Sequence, residues 1–353
     1  MIVGAGPAGS TTARYAARRG HSVLLLDRRR VIGVPVQCGE YVASNQEMEE
    51  IFPGIADMAD LMKAPYSVKF IDMDTIRIVS PRGREYLLPF RGFTVDRARM
   101  DQEIAAQAVD EGAELMTSVT ALDVKGNRVL TTKGEFEGRV IVGADGPFSR
   151  VSKSVGLEWP ESSPAMSVTL EGRFSDTCDM YFGTLAPGGY AWVIPKGDTA
   201  NVGVGVWPKF KGNLDVPFQA FLRKIRMPAV RGTGGYVPIK GPVPQTVKGN
   251  VILVGDAAGH VMPPNGGGIN TGMICGRIAG EAISEHLGKG ASLGDYEVRW
   301  RALVGEALAR GAKIRRLADH FFGSDWNLER AMSFLGPKRM GRAIRCQRLF
   351  FSR

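Results

Sequence analysis

The segment VGAGPAG sets Gly4, Gly6 and Gly9 in a GxGxxG pattern between a short apolar run and an alanine-rich stretch. The first chemistry this 353-residue chain can do is therefore to cradle a pyrophosphate. In a strand, turn and helix of this kind Gly4 permits the sharp turn and Gly6 lets the backbone approach the phosphates. Gly9 lets helix pack on strand, and the helix start, with Ala8 in its first turn, faces the anion. A second apolar strand, 22–26, delivers Asp27 at its end, 18 residues past Gly9. A carboxylate there accepts hydrogen bonds from ribose hydroxyls and disfavours a 2′-phosphate.

Two later segments repeat the theme of an apolar strand followed by an acid: GRVIVGADGPFSRV (138–151) and GNVILVGDAAGHVMPPNGGGINTG (249–272). They carry Asp145, with Gly146, and Asp256 to the carboxyl ends of strands, where open α/β sheets bind ligands. The loop Pro263, Pro264, Asn265, Gly266, Gly267, Gly268 then leads into an expected helix from about Ile269 to His286. A second glycine-lined helix start exceeds what one pyrophosphate needs. It suits a flavin, whose reduced ring carries negative charge near N1 and O2.

The stretch GGYAWVIPK (188–196) places Tyr190 and Trp192 on one face of a strand, with Val193 pointing away. Such a wall faces either a core or a ligand. Cys38 and Tyr190, or an ordered water, are candidate proton donors that spacing does not separate; a buried inert thiol is the alternative for Cys38. His21, His260, His286 and His320 are scattered, and His260, in a fingerprint loop, reads as structural.

Composition narrows the class. Hydrophobic residues at 44 % and charged residues at 23 % describe a folded chain, and 45 glycines imply many turns or close backbone approaches. The four cysteines form no CxxC pair or metal-ligand spacing, so no metal is expected and a reduced, cytoplasmic setting fits. No signal peptide opens the sequence and no apolar run is long enough to span a bilayer. Only Met1 to Val3 precede the cradle, so the start is expected to lie inside a longer chain or to have been trimmed. The net charge of +9 is concentrated between Arg310 and Arg353, where eleven basic residues meet three acidic ones among Phe321, Phe322, Trp326, Phe334, Leu335, Leu349, Phe350 and Phe351. That segment reads as an amphipathic element for an anionic membrane surface, or as a solvated helix face over a core. Nothing else in the chain suggests a nucleic-acid reader.

Together these segments resemble the three FAD fingerprints of the glutathione-reductase-like flavoproteins related to para-hydroxybenzoate hydroxylase. TVDRARMDQEIAAQAVDEGAEL (94–115) resembles the helix that follows their flavin-contacting arginine, here Arg97. Within that group PVQCGEYV (35–42) and PGGYAWVIPK (187–196) resemble the geranylgeranyl reductases, including the archaeal digeranylgeranylglycerophospholipid reductases. Their signatures are a Cys-Gly pair, here Cys38 and Gly39, and a PxxYxWxFPK strand lining the lipid pocket. Pro187, Tyr190, Trp192, Pro195 and Lys196 match that strand, Ile194 replaces its Phe, and Asp27 stands where Glu is commoner. The resemblance covers residues 1 to about 286. It implies FAD as cofactor, held also through Val119, and reduction of isoprenoid double bonds. Lys196 is expected near a phosphate end.

With no second GxGxxG, the electron donor is expected to be transiently bound NADPH or a ferredoxin landing on the basic surface. An aromatic monooxygenase or halogenase, and a non-catalytic prenyl-lipid carrier, are the alternative functions. The expected fold is α/β: a Rossmann FAD domain from 1–66, 94–164 and 240–286, an inserted antiparallel substrate sheet from 67–93 and 165–239 with a helix near 217–225, and a helical basic region, 287–353. Asp198 and Gly183 mark hairpin turns.

Overall fold

The computed structural model describes residues 1–208 and 210–350; Phe351 and Arg353 of the basic tail lie outside the described residues. Short strands, the inner four apolar and almost wholly buried, build a six-stranded sheet in the order Val247–Lys248, Val251–Leu253, Ile141–Gly143, Ile2–Val3, Leu24–Leu26, Glu114–Met116. All neighbours are parallel except the edge hairpin at Val247–Leu253. Such strands read as continuous Val, Ile and Leu because both faces are covered. Ile2, Leu25, Val142 and Ile252 pack with helix residues such as Ala13 and Ile274, while Val3, Ile141, Val251 and Leu253 pack with Val124 and Val129 of a three-stranded sheet, Ala121–Lys125, Arg128–Thr131 and Gly134–Glu137. Register decides the function of this sheet. Val3 pairs with Leu26 and Gly143, and Gly143 with Leu253. The turns after these strands, at Gly4, Asp27, Asp145 and Gly255, therefore open at one edge.

Helix Pro7–Ala17 starts with proline in its first turn, where the missing N–H is no loss. It packs along Ile269–Lys289, which extends past the expected end at His286 and stops at Gly290, φ +70°. The close approach rests on glycines four apart. A Cβ on Gly276 would lie 2.5 Å from the Ala8 carbonyl oxygen, and one on Gly280 would lie 2.7 Å from Tyr15 Cβ.

An eight-stranded sheet stands beside the first, in the order Thr233–Pro238, Ser162–Glu171, Thr199–Gly205, Tyr190–Pro195, Cys178–Tyr181, Lys69–Val79, Glu85–Val95, Tyr41–Ala43. It departs from the expected antiparallel pattern at one seam: Cys178–Tyr181 runs parallel to Lys69–Val79, with Ile76 beside Cys178. The two strands come from separate stretches of chain, so no tight turn fixes their relative direction. The turn through Gly197 and Asp198 is a hairpin, with Lys196 N–H donating to the Thr199 carbonyl at 2.7 Å.

Alternation along Tyr190–Pro195 separates two environments. Ala191 and Val193 enter a core with Phe218 and Phe221 of helix Asp215–Lys224. Tyr190, Trp192 and Ile194 face the other way, into a cavity. The tail closes that cavity with helices Glu306–Asp319 and Asp325–Ile344, the latter broken at Gly336 before Pro337. Its apolar residues divide: Phe321, Phe322 and Leu335 pack toward the core, while Trp326 is 53 %, Phe334 69 % and Phe350 51 % exposed. No helix among the described residues is long and apolar enough to cross a membrane.

Candidate active site

The cradle glycines have three different surroundings. Gly4, at φ +103°, would place a Cβ 2.2 Å from the Ala144 carbonyl oxygen, and Gly9 would place one 1.9 Å from the carbonyl oxygen of Gly4. These two admit the turn and the helix contact. A Cβ on Gly6 would meet nothing within 4 Å. Gly6 is also the N-cap of Pro7–Ala17 and supplies no side chain to the helix's free amides. The space above Gly6 and the uncapped amides fit a pyrophosphate.

Asp27 accepts from the amide of Ala5 at 2.8 Å and from that of Arg29 at 2.7 Å, so it braces the glycine turn from the next strand. Each oxygen retains a lone pair for a hydroxyl. Val119, buried, donates its amide to the Asp27 carbonyl at 2.9 Å, which brings these two expected residues together. Asp145 accepts from the Arg150 amide at 2.7 Å through Oδ2, while its buried Oδ1 has no partner among the described residues. Burial pushes this carboxyl above its ordinary value, against the pull of its hydrogen bonds. Gly146 beside it, at φ +89°, is open to space.

The second helix start brings the remaining expected residues together. Gly268 caps Ile269–Lys289 without a side chain, and the first turn holds no acid. A Cβ on Gly268 would lie 3.3 Å from Asp256 Oδ1. Burial pushes Asp256 up to about 6, offset by the charge of Arg97. Arg97 holds Asp101 at 2.9 and 3.1 Å. Burial acts to lower its pKa, but Asp101 and the nearby Cys38 sulfur raise it overall. Helix amides and a fixed guanidinium thus face one region, a suitable surrounding for an anionic ring edge.

From there an apolar cavity of ≈ 890 Å³ runs away from Cys38, Gly39, Pro263 and Gly266–Ile269. Its size is within the roughly 300–1,000 Å³ usual for ligand pockets. Tyr190 and Trp192 form part of its wall, ring centroids 6.0 Å apart at 62°. The Tyr190 hydroxyl donates to the Asn265 carbonyl at 2.6 Å, and burial raises its pKa further. Its proton is held by the glycine loop. Trp192 donates its indole N–H to Asn201 Oδ1 at 2.8 Å.

Three expected substrate residues do not line the cavity. Pro187 lies in the preceding turn, its carbonyl accepting from the Trp207 amide at 2.8 Å. Pro195 is buried in the strand, paired with Ala200. Lys196, expected near a phosphate, instead forms a buried ion pair with Glu40 at 2.7 Å. A charge neutralised in this way is not offered to a ligand.

Glu40 and Asn201 are the residues that sequence reasoning missed. Glu40, at φ +64°, takes Lys196 Nζ on one oxygen together with Asn201 Nδ2 at 3.1 Å, and the Arg97 amide on the other at 3.3 Å. Asn201 also donates to the Cys38 carbonyl at 2.9 Å. One network therefore fixes the Cys38 turn, the Trp192 ring and the start of the Arg97 helix. The only sequence signal was a carboxylate beside the Cys-Gly pair, with no indication of its partner. His260 is buried and packs on Trp300, ring centroids 4.5 Å apart and tilted by 56°; burial lowers it to about 3, keeping it neutral, in accord with a structural role.

Comparison with known proteins agrees with this arrangement. The geranylgeranyl reductase catalytic domain matches residues 165–231, which include Tyr190, Trp192 and Asn201, and the NAD(P)-binding Rossmann-like domain matches residues 2–50. A digeranylgeranylglycerophospholipid reductase of Methanothrix thermoacetophila is 32 % identical, covering 93 % of this chain and 89 % of its own. One of Methanocaldococcus jannaschii is 30 % identical over 97 % and 91 %. A geranylgeranyl bacteriochlorophyll reductase-like protein of Thermoplasma acidophilum superposes with TM-score 0.82 at 26 % identity, over 94 % of this chain and 89 % of that one. A flavin-dependent brominase, TM-score 0.71 at 20 % identity over 98 % and 92 %, shares the fold alone. The helix-capped glycine turns, the aromatic cavity and these matches lead to one assignment: the chain belongs to the geranylgeranyl reductase family of FAD-dependent oxidoreductases.

Proposed function

We propose that this protein saturates carbon–carbon double bonds of geranylgeranyl chains in membrane-lipid precursors. The observation that carries the reading is a single apolar cavity that begins at the glycine-capped helix start and Cys38 and is walled by Tyr190 and Trp192. In this reading Gly4, Gly6, Ala8, Gly9, Asp27, Val119, Asp145 and Gly146 hold the ADP half of FAD. Cys38, Gly39, Arg97, Asp256, Pro263, Gly266, Gly267, Gly268 and Ile269 surround its ring. Bound and reduced, FAD supplies the hydride equivalent.

The chain's own residues orient the alkene and exclude water. Tyr190, Trp192 and Ile194 hold a flat chain against the ring side of the cavity, where positioning lowers the barrier. Cys38 is the remaining side chain at that end for proton delivery, since the Tyr190 proton is engaged with Asn265. Electrons arrive from NADPH or from a ferredoxin attracted by the basic surface. The six-stranded sheet and its helices act as the FAD domain, the eight-stranded sheet as the substrate domain, and the basic tail rests on the cytoplasmic face of a membrane.

The test is anaerobic. Protein reduced with dithionite is mixed with geranylgeranylated lipid, and the oxidised flavin band is followed with lipid mass. Recovery of the band without oxygen, with a lipid mass gain of hydrogen pairs, is expected. Unchanged lipid masses across a range of lipids and donors would overturn the reading. A bleached band that recovers only in air would favour an oxygen-using monooxygenase.

A further inference from the structure

Charge is placed unevenly along the cavity. Among its described lining residues three are ionisable by charge: Glu40, Arg315 and Arg330. Glu40 is neutralised by Lys196. Arg315 pairs with Asp319 at 3.0 Å, donates to the Gly188 carbonyl and lies 4.7 Å over the Phe322 ring. Arg330 differs. It sits at the end marked by exposed Trp326 and Phe334, its guanidinium 4.5 Å over the Trp326 ring, and among the described residues it faces no carboxylate within ion-pair distance.

Arg330 also lines a second recess, shared with Arg82, Gly83, Arg84, Glu329 and Ser333. Arg82 and Arg84 lie on the tight turn between Lys69–Val79 and Glu85–Val95, which is fixed rather than free. Gly83 N–H donates to the Ser80 carbonyl at 2.9 Å and Arg84 N–H to Ser80 Oγ at 3.0 Å. The turn is tied to the tail helix by Arg82 N–H on Glu329 Oε2 at 3.1 Å and by Arg84 Nη1 on Ser333 Oγ at 3.1 Å. Among the described residues Glu329 is the one carboxylate lining the recess, and it is buried and engaged with that amide. Among the described residues no ion pair is made by the guanidinium of Arg82, Arg84 or Arg330. Three such groups converging beside an apolar cavity form a receptor for a multiply charged oxyanion.

We propose that this recess binds the anionic phosphate headgroup of the isoprenoid lipid, while the chain lies in the cavity toward Cys38. The assignment rests on the reading of the cavity as an isoprenoid site and moves the phosphate end from Lys196 to Arg82, Arg84 and Arg330. An amphiphile with an oily chain and a charged end has one orientation that leaves no charge inside.

The test compares equilibrium binding of geranylgeranyl monophosphate and geranylgeraniol to the oxidised, FAD-loaded protein. Wild type is expected to bind the phosphate ester about tenfold more tightly or better, with the gap narrowing as salt rises. In Arg82→Gln/Arg330→Gln the gap closes, and Arg330→Lys restores part of it. Retained flavin absorbance and melting temperature exclude misfolding, and Arg84→Gln provides an independent variant. A gap unchanged in both variants overturns the headgroup assignment and leaves the cavity reading standing. Failure of both isoprenoids to bind wild type overturns both. Inorganic phosphate that binds as tightly as the ester overturns the lipid assignment in favour of a free-phosphate site. A double variant that keeps the gap but no longer sediments with anionic vesicles overturns it in favour of a bilayer contact.

Discussion

At the scale of single residues, the cradle separates two kinds of glycine that the motif writes alike. Gly6→Val enters open space at an ordinary backbone angle, φ −75°. It is expected to abolish FAD retention while leaving stability within about 0.5 kcal/mol, as for a surface change. Gly9→Val drives a side chain into the Gly4 carbonyl and is expected to cost about 3 kcal/mol or more. Flavin absorbance beside thermal melting of the stripped proteins distinguishes the two; full yellow colour in Gly6→Val would refute the cradle. Trp192→Ala is expected to keep the flavin spectrum and lower kcat/KM for lipid about tenfold or more, roughly 1.4 kcal/mol. Equal loss of both would make Trp192 a core residue, since its ring also covers Gly203. The glycines, acids and rings were legible because local geometry demands them. Lys196 was misread because its partner Glu40 lies 156 positions away, and a lysine at a strand end looks the same whether paired or free. Asn201 was missed for the same reason: its three bonds, to Trp192, Cys38 and Glu40, exist only once the chain has folded.

At the scale of elements, periodicity carried the information. Alternation in 190–195 foretold one face for the rings and the opposite face for Val193, and the apolar strands before Asp27, Asp145 and Asp256 foretold acids at the carboxyl ends of strands in an open α/β sheet. The seam between Cys178–Tyr181 and Lys69–Val79 was not legible, because strand direction across separate insertions leaves no local signature. Gly272, Gly276 and Gly280 did carry a signal, a spacing of four, that marks where two helices touch. The start of Ile269–Lys289 also sets a pH dependence. Asp256 is raised by burial from its ordinary value of 3.8 to about 6, so the folded protein holds a proton that the unfolded chain releases. Its contribution to stability is therefore greatest below pH 4 and is lost as pH rises to about 6. Relative to Asp256→Asn, wild type is expected to lose melting temperature across that window; parallel curves would show that the carboxyl is not buried as described.

For the whole molecule, the tail divides its apolar residues between the cavity and the surface. Its apolar side closes the cavity, and its exposed Trp326, Phe334 and Phe350 stand among basic side chains at the cavity end. Cosedimentation with vesicles containing anionic lipid is expected, with release at roughly 1 M salt, where the Debye length is about 3 Å. Phe334→Asp is expected to weaken it without altering the flavin spectrum. Binding that ignores both salt and this substitution would remove the tail from membrane contact. The parallel seam has a consequence during synthesis. The edge of Lys69–Val79 that Cys178–Tyr181 later covers has no partner until the ribosome has reached Met180, which pairs with Ile78. At about 5–20 residues per second that interval lasts roughly 5–20 s. For that time the nascent chain presents Ile76 and Ile78 on an open strand edge, the surface on which partly made polypeptides stick to one another and which chaperones are suited to shield.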